Sequence, residues 1–168
     1  TVHFIGVGGV GMSGIARVAH DQGMEVSGSD LKESRYTKQL RDAGVTVFIG
    51  QDGANIPEGD PMVVVSTAIL DNNPELIEAR RRDLKICHRA QMLAHLGRNL
   101  DTLAVAGTHG KTTTSSMLAS TLDAMGCDPT FLIGGIVRAY GTNAHSGTGA
   151  YYVVEADESD KSCTYLSP

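Results

Sequence analysis

Residues 107–113 read Gly107-Thr108-His109-Gly110-Lys111-Thr112-Thr113, straight after the apolar run Leu103-Ala104-Val105-Ala106 and straight before a stretch with helical spacing. A strand, a glycine turn and a helix opened by Lys-Thr form the local arrangement that grips nucleotide phosphates. The turn's N–H groups and the helix N-terminus face the anion, Lys111 adds a point charge, and the Thr112 hydroxyl can ligate Mg²⁺. The usual Walker spacing would place the first glycine at 105, which is Val105; here it is Gly107. An ordinary strand-to-helix turn would leave the Lys-Thr-Thr after the second glycine unexplained.

A second turn of this kind lies near the start. Val2-His3-Phe4-Ile5 reads as a buried strand, followed by Gly6-Val7-Gly8-Gly9-Val10-Gly11, which fits G-x-G-x-x-G. Met12, Ile15, Ala16 and Ala19 then recur at helical spacing, with the helix beginning near Met12 and Gly23 placed to end it. Glu25 to Asp30 gives a short second strand ending in a carboxylate, about where a Rossmann unit carries its ribose-binding acid. The context strand–turn–helix–strand–Asp points to a nucleotide or dinucleotide diphosphate; the alternative is that the glycines serve only close helix–strand packing.

Outward from the two turns, β and α signals alternate. A helix is expected over Ser34 to Ala43, stopped by Gly44, then a strand at Val45–Ile49. Met62-Val63-Val64-Val65-Ser66 is an apolar run suited to a sheet covered on both faces. Asn73 caps a helix with Pro74 at its first position, running to about Arg82. Leu84–Cys87 and Ala90–Leu96 give the last strand and helix of this part. The class is α/β: a Rossmann-like doubly wound parallel sheet at 1–97, a hinge from Arg98 to Thr102, and the start of a P-loop ATPase α/β domain at 98–168. The ligand crevice is expected at the strands' carboxyl ends, where Gly8, Asp30, Ser66 and His88 fall.

In the second part, Leu118, Leu122 and Met125 keep helical spacing until Gly126, and Thr130–Ile133 suits a strand. Gly134 to Gly149 has no apolar period and reads as a loop. Tyr151 to Glu155 is another strand, running into Glu155-Ala156-Asp157-Glu158-Ser159-Asp160. Carboxylates there could form a solvated turn. Downstream of a phosphate loop they read better as a Mg²⁺ and substrate loop, since an acid there can hold the metal that the Thr112 hydroxyl also touches.

The 20 glycines among 168 residues exceed the average of about 7%, and much of the excess marks the two turns and 134–149. A net charge of −5 and no Lys/Arg run argue against a nucleic-acid partner. Arg80-Arg81-Arg82 reads as the solvated end of a helix. Cys87, Cys127 and Cys163 are odd in number and lack metal-ligand spacing, as free thiols of a reducing compartment would. No signal-peptide pattern and no bilayer-length apolar stretch occur, so the sequence predicts a cytoplasmic protein without a membrane partner. It begins inside a strand pattern and ends soon after the acidic loop, as a piece of a longer chain would.

Together these motifs resemble the Mur ligases, the ATP-dependent amide-forming enzymes of peptidoglycan synthesis. The resemblance rests on Ile5–Ser13, Gly28-Ser29-Asp30, Ser66-Thr67-Ala68-Ile69, Arg89-Ala90-Gln91-Met92-Leu93, Gly107–Thr113 and Glu155–Asp160, and covers essentially the whole chain. That family uses the short-spaced phosphate loop, which accounts for Val105. Gln91 stands where the family would carry Glu, and Cys163 where the loop usually carries Phe.

The resemblance implies three domains, for a UDP-sugar, for ATP and for the amino acid, of which this chain holds the first and the beginning of the second. It implies a UDP-sugar at Gly6, Gly8, Gly9, Gly11, Met12 and Ser13, with uridine towards Asp30 and Ser66, Thr67, Ala68 and Ile69, and His88 as a weaker candidate. It implies ATP and Mg²⁺ at Gly107 to Thr113, Lys111 and Glu155 as catalytic residues, and Thr112 and Glu155 on the metal. His109 faces the nucleotide by family position only; its ring could equally be packing. The implied substrates are UDP-N-acetylmuramate and L-alanine, with recycling members that attach a tripeptide to the same UDP-sugar as the rival within the family. A nicotinamide-dependent oxidoreductase also fits Gly6/Gly8/Gly11 with Asp30, but has no use for a second phosphate cradle. A nucleotide-binding module without ligation chemistry is the third reading.

Overall fold

The structure, a computed structural model, describes residues 1–156, 165 and 166. Packing divides the chain into two compact units, Thr1–Arg89 and Ala90–Pro168.

The first unit is a five-stranded sheet in the order β3-β2-β1-β4-β5, built from β1 (Val2–Ile5), β2 (Val26–Asp30), β3 (Thr46–Ile49), β4 (Met62–Val65) and β5 (Ile86–His88). All four pairings are parallel. The order reverses between β1 and β4. Right-handed crossovers running outward in both directions from that point put α1 (Val10–Asp21) and α2 (Arg35–Asp42) on one face and α3 (Pro74–Arg81) on the other. Burial on both faces explains why β1 is apolar throughout except for His3, and why His3 itself is fully buried.

Local chemistry sets the helix ends. Ser34 and Thr37 form a reciprocal capping box at the start of α2. The Asn73 side chain accepts from the Glu75 and Leu76 amides, and Pro74 needs no amide partner at the first position. On the α3 side, Ile5 and Val63 pack with Leu76, Ala79, Leu84 and Ile56. Arg82, expected as a solvated helix end, instead donates to the carbonyls of Ile56, Pro57 and Gly59, strapping the segment after the short 3₁₀ turn Gly53–Asn55 to α3. Its neighbours Arg80 and Arg81 are exposed and pair with Asp71 and Glu78.

A polar cluster lies inside this unit. Glu75, fully buried, accepts from the Ser29 hydroxyl at 2.5 Å, from Asn55 Nδ2 at 2.7 Å and from the Asp52 amide at 3.3 Å, with His3 Nε2 3.5 Å away. Burial pushes its carboxyl up, but the His3 ring beside it and the hydrogen bonds from Ser29 and Asn55 outweigh that and hold it below the usual carboxylate range.

The second unit opens with α4 (Arg89–Gly97), whose first residue ends the first unit. The sequence puts the boundary after this helix; packing divides the chain between Arg89 and Ala90. Tyr152, fully buried, donates its hydroxyl to the Leu93 carbonyl at 2.9 Å, and its ring lies so close to Gly97 that no side chain fits there. The sheet has the order β6-β9-β7-β8, with β6 (Asp101–Val105), β7 (Thr130–Val137), β8 (Thr142–His145) and β9 (Tyr151–Glu155). Its central helix is α5 (Lys111–Ala124), which packs Ala119 and Leu122 on Phe131, Ile133 and Val153.

One expectation is corrected here. Gly134–Gly149 is not a loop throughout: β7 runs on through Gly134, Gly135 and Ile136 to Val137, and β8 returns antiparallel to it. Glycines weaken the strand signal because they carry no side chain to alternate. Two of them are in the strand for a reason of space that only packing reveals, described below.

Candidate functional site

In the first unit, β1 runs into a turn that the sheet itself holds. The amides of Gly6 and Val7 both donate to the Ser29 carbonyl at 2.9 Å, and the Gly8 amide donates to Asp30 Oδ2 at 2.8 Å. The helix begins at Val10 rather than near Met12, after Gly9, which offers no side-chain cap. An uncapped helix N-terminus at a glycine turn is a ready place for an anion.

A cavity of about 520 Å³ opens over this turn. Of the residues singled out from sequence, Gly6, Gly9, Gly11, Met12, Asp30, Ser66, Thr67, Ala68 and Ile69 line it. Gly8, Ser13 and His88 do not. A side chain on Gly8 would meet Asp30 Oδ2 at 2.8 Å, so Gly8 serves the bond to Asp30. Ser13 is buried and turns its hydroxyl onto the Val10 carbonyl. His88 ends β5 outside the lining. Val10, Leu31, Gln51 and Arg89 also line the cavity, and none of them is among the UDP-sugar residues that the resemblance implies. Arg89 follows the carboxyl end of β5, a position the strand pattern does mark; Gln51 follows the edge strand β3, and no sequence signal marks it.

In the second unit, the phosphate-type loop joins β6 to α5. Gly110 sits at φ +79° immediately before Lys111, a left-handed backbone that favours glycine. Thr108 and His109 are exposed, so the His109 ring is not packed in a core. Lys111 Nζ folds back to donate to the Gly107 carbonyl at 2.6 Å, which sets its charge over the loop. Thr113 joins Thr112, Ser116 and Arg138 along a groove of about 580 Å³ beside the start of α5.

Glu155 ends β9 directly opposite Val105, the last residue of β6. A side chain on Gly134 would stand 3.0 Å from Glu155 Oε2 and 3.7 Å from Thr112 Oγ1, and one on Gly135 would stand 2.7 Å from Thr112 Cγ2. The two glycines therefore let a strand pass where a carboxylate and a hydroxyl converge. Glu155 Oε1 is buried with no hydrogen-bond partner among the described residues. Two converging oxygen donors, one with an unsatisfied carboxylate oxygen, suit a hard cation that also takes phosphate oxygens. No cluster of three or more His, Cys, Asp or Glu that could hold a metal alone occurs among the described residues. Asp157, Glu158, Asp160 and Cys163 lie outside the described residues.

Residues 1–100 match the family described as the Mur ligase family, catalytic domain. The chain belongs to the Mur ligase family. Among curated Mur ligases, it is 56% identical over 159 residues to the UDP-N-acetylmuramate–L-alanine ligase of Agrobacterium fabrum, covering 95% of this chain and 34% of that protein. The Paracoccus denitrificans ligase of the same name is 55% identical over 165 residues, covering 98% and 34%. The chain thus spans about a third of the length of these relatives. Among solved Mur ligase structures, the UDP-N-acetylmuramate–alanine ligase of Thermotoga maritima superposes with a TM-score of 0.91 at 35% identity, covering all of this chain and 39% of that one. A murein peptide ligase of Psychrobacter arcticus gives 0.89 at 32%, covering 99% and 41%.

Proposed function

We propose that this chain is the UDP-sugar-binding part and the beginning of the ATP-binding part of a cytoplasmic ligase that joins L-alanine to the carboxylate of UDP-N-acetylmuramate. The observation that carries the ATP half is the convergence of Thr112 and Glu155 beside a loop whose lysine already lies over it. The 54–56% identity to curated L-alanine ligases supports the choice of substrates.

A carboxylate has no good leaving group, so amide formation needs it activated. A muramyl carboxylate oxygen attacks the γ-phosphorus of ATP and ADP leaves; the L-alanine amine then attacks the acyl carbon, and phosphate departs with the former carboxylate oxygen. Phosphoryl transfer draws several negative charges together, so positioning and neutralisation do most of the work. Lys111 and the amides of the 107–110 loop would hold the phosphates. Mg²⁺, held through Thr112 and Glu155, would supply charge neutralisation at the phosphate oxygens. Asp157, Glu158 and Asp160 would order the following loop or bind substrate rather than act as bases.

The test is isotope transfer in a full-length ligase carrying these residues. With ¹⁸O in the muramyl carboxylate, label should appear in inorganic phosphate; label kept wholly in the product would exclude the acyl phosphate. The likeness to peptide ligases, at TM-scores of 0.89 and 0.84, keeps a second amine in view. Offering L-alanine and an L-alanyl-γ-D-glutamyl-meso-diaminopimelate peptide to the same enzyme separates the two by which amine is consumed.

A further inference from the structure

We infer that Arg89 is the cation that neutralises the diphosphate in the first unit's cavity, and that position 11 is glycine to admit its guanidinium. The inference rests on the reading of that cavity as a UDP-sugar site.

The glycine turn and the first turn of α1 contain no Lys or Arg, so 6–13 offers backbone donors and no full positive charge. Asp30, the one acid among the described lining residues, already accepts from the amides of Gly8 and Lys32 and brings a negative charge of its own. Among the described residues, Arg89 is the only Lys or Arg in the lining. A diphosphate entering there meets one carboxylate and one guanidinium.

The placement of Arg89 is costly by itself. It is the first residue of α4, the end at which the helix dipole disfavours a cation. Gly11 is likewise a poor choice for the second residue of α1, where glycine costs about 1 kcal/mol against alanine. The two residues meet: a Cβ on Gly11 would stand 2.6 Å from Arg89 Nη1. The guanidinium thus reaches over the start of α1, where Gly9 supplies no side-chain cap. The register Val65↔His88 fixes where β5 delivers Arg89, at the carboxyl end of the sheet. A planar, always-charged fork suits phosphate oxygens better than an ammonium.

The experiment titrates the full chain with UDP and with uridine, following binding by calorimetry and NMR, with circular dichroism as a check on folding. For Arg89→Ala, UDP affinity should fall about 10- to 100-fold, the range for losing a charge-assisted bond, while uridine affinity stays close to the parent's. Arg89→Lys should fall between, and Gly11→Ala, which pushes the guanidinium aside, should lose UDP selectively as well. A folded Arg89→Ala that binds UDP like the parent, or that loses UDP and uridine equally, overturns the inference alone. A parent chain that binds neither ligand overturns the UDP-sugar reading and the inference with it.

Discussion

Thr112 and Glu155 come from opposite ends of the second unit's sequence, yet Thr112 Oγ1 and Glu155 Oε2 lie 3.7 and 3.0 Å from one point, the place a side chain on Gly134 would occupy. That point is empty because residue 134 is glycine. The first prediction follows directly. Gly134→Ala in a full-length ligase should lower ATP-dependent turnover about 10- to 100-fold, the equivalent of 1–3 kcal/mol of overpacking delivered at the site. UDP-sugar affinity should be nearly unchanged, since Gly134 belongs to the other unit. Steady-state kinetics with a binding isotherm reads both, and unchanged turnover would show that the convergence has no part in catalysis.

Lys111→Ala removes the charge that now rests on the Gly107 carbonyl. Acyl-phosphate formation should be abolished while UDP-sugar binding is nearly intact. Rapid-quench detection of the acyl phosphate is the measurement, and an unaltered ligation rate would remove Lys111 from the phosphate site.

Glu75 is held ionised inside the first unit by Ser29, Asn55 and His3. Its folded pKa lies below the unfolded one, so the stabilisation is complete above the ordinary carboxylate range and is lost as pH falls through the folded value. Glu75→Gln should destabilise the chain by about 2 kcal/mol near neutral pH, the worth of hydrogen bonds to a buried charge. It should also flatten the acid limb of the stability curve. Urea unfolding at several pH values checks both; parallel curves for parent and variant would exclude this role.

Asp128 gives a spectroscopic prediction. The hydrogen bond from His145, then those from the Thr148 amide and hydroxyl, hold its carboxyl down to about 2. NMR of the Asp128 carboxyl should show a midpoint near that value, rising towards the ordinary aspartate range in His145→Ala. The sign matches Glu75: any stabilisation from the pair is present above the ordinary range and fades as pH falls towards 2. A parent midpoint in the ordinary range would show that the His145 contact does not persist in solution.

Gly97→Ala tests where the second unit begins. A side chain there would run into the Tyr152 ring, so the variant should lose about 1–3 kcal/mol of stability in that unit. Hydrogen exchange in β9 reads the loss, and unchanged protection would detach α4 from this sheet.

The sequence alone determined the periodic and punctuated parts of this protein. Strands β1, β4 and β9, the Asn73 cap and both glycine turns are local patterns, in which neighbours along the chain set the backbone, and they were legible for that reason. The doubly wound parallel class followed from β/α alternation, whereas the order β3-β2-β1-β4-β5 came from the structure. Tertiary structure alone decided what depends on residues far apart in sequence. Gly134 and Gly135 read as a loop because a glycine has no periodic side chain, although each is glycine for the room that Glu155 and Thr112 need. Gly8 and Gly11 looked alike in the motif, yet one faces Asp30 and the other Arg89. No local pattern marks Glu75, which becomes a buried hub only where β1, β2 and the Asp52–Asn55 segment close around it. Local patterns specify backbone, whereas the space and partners left for a side chain are set only when distant segments pack together.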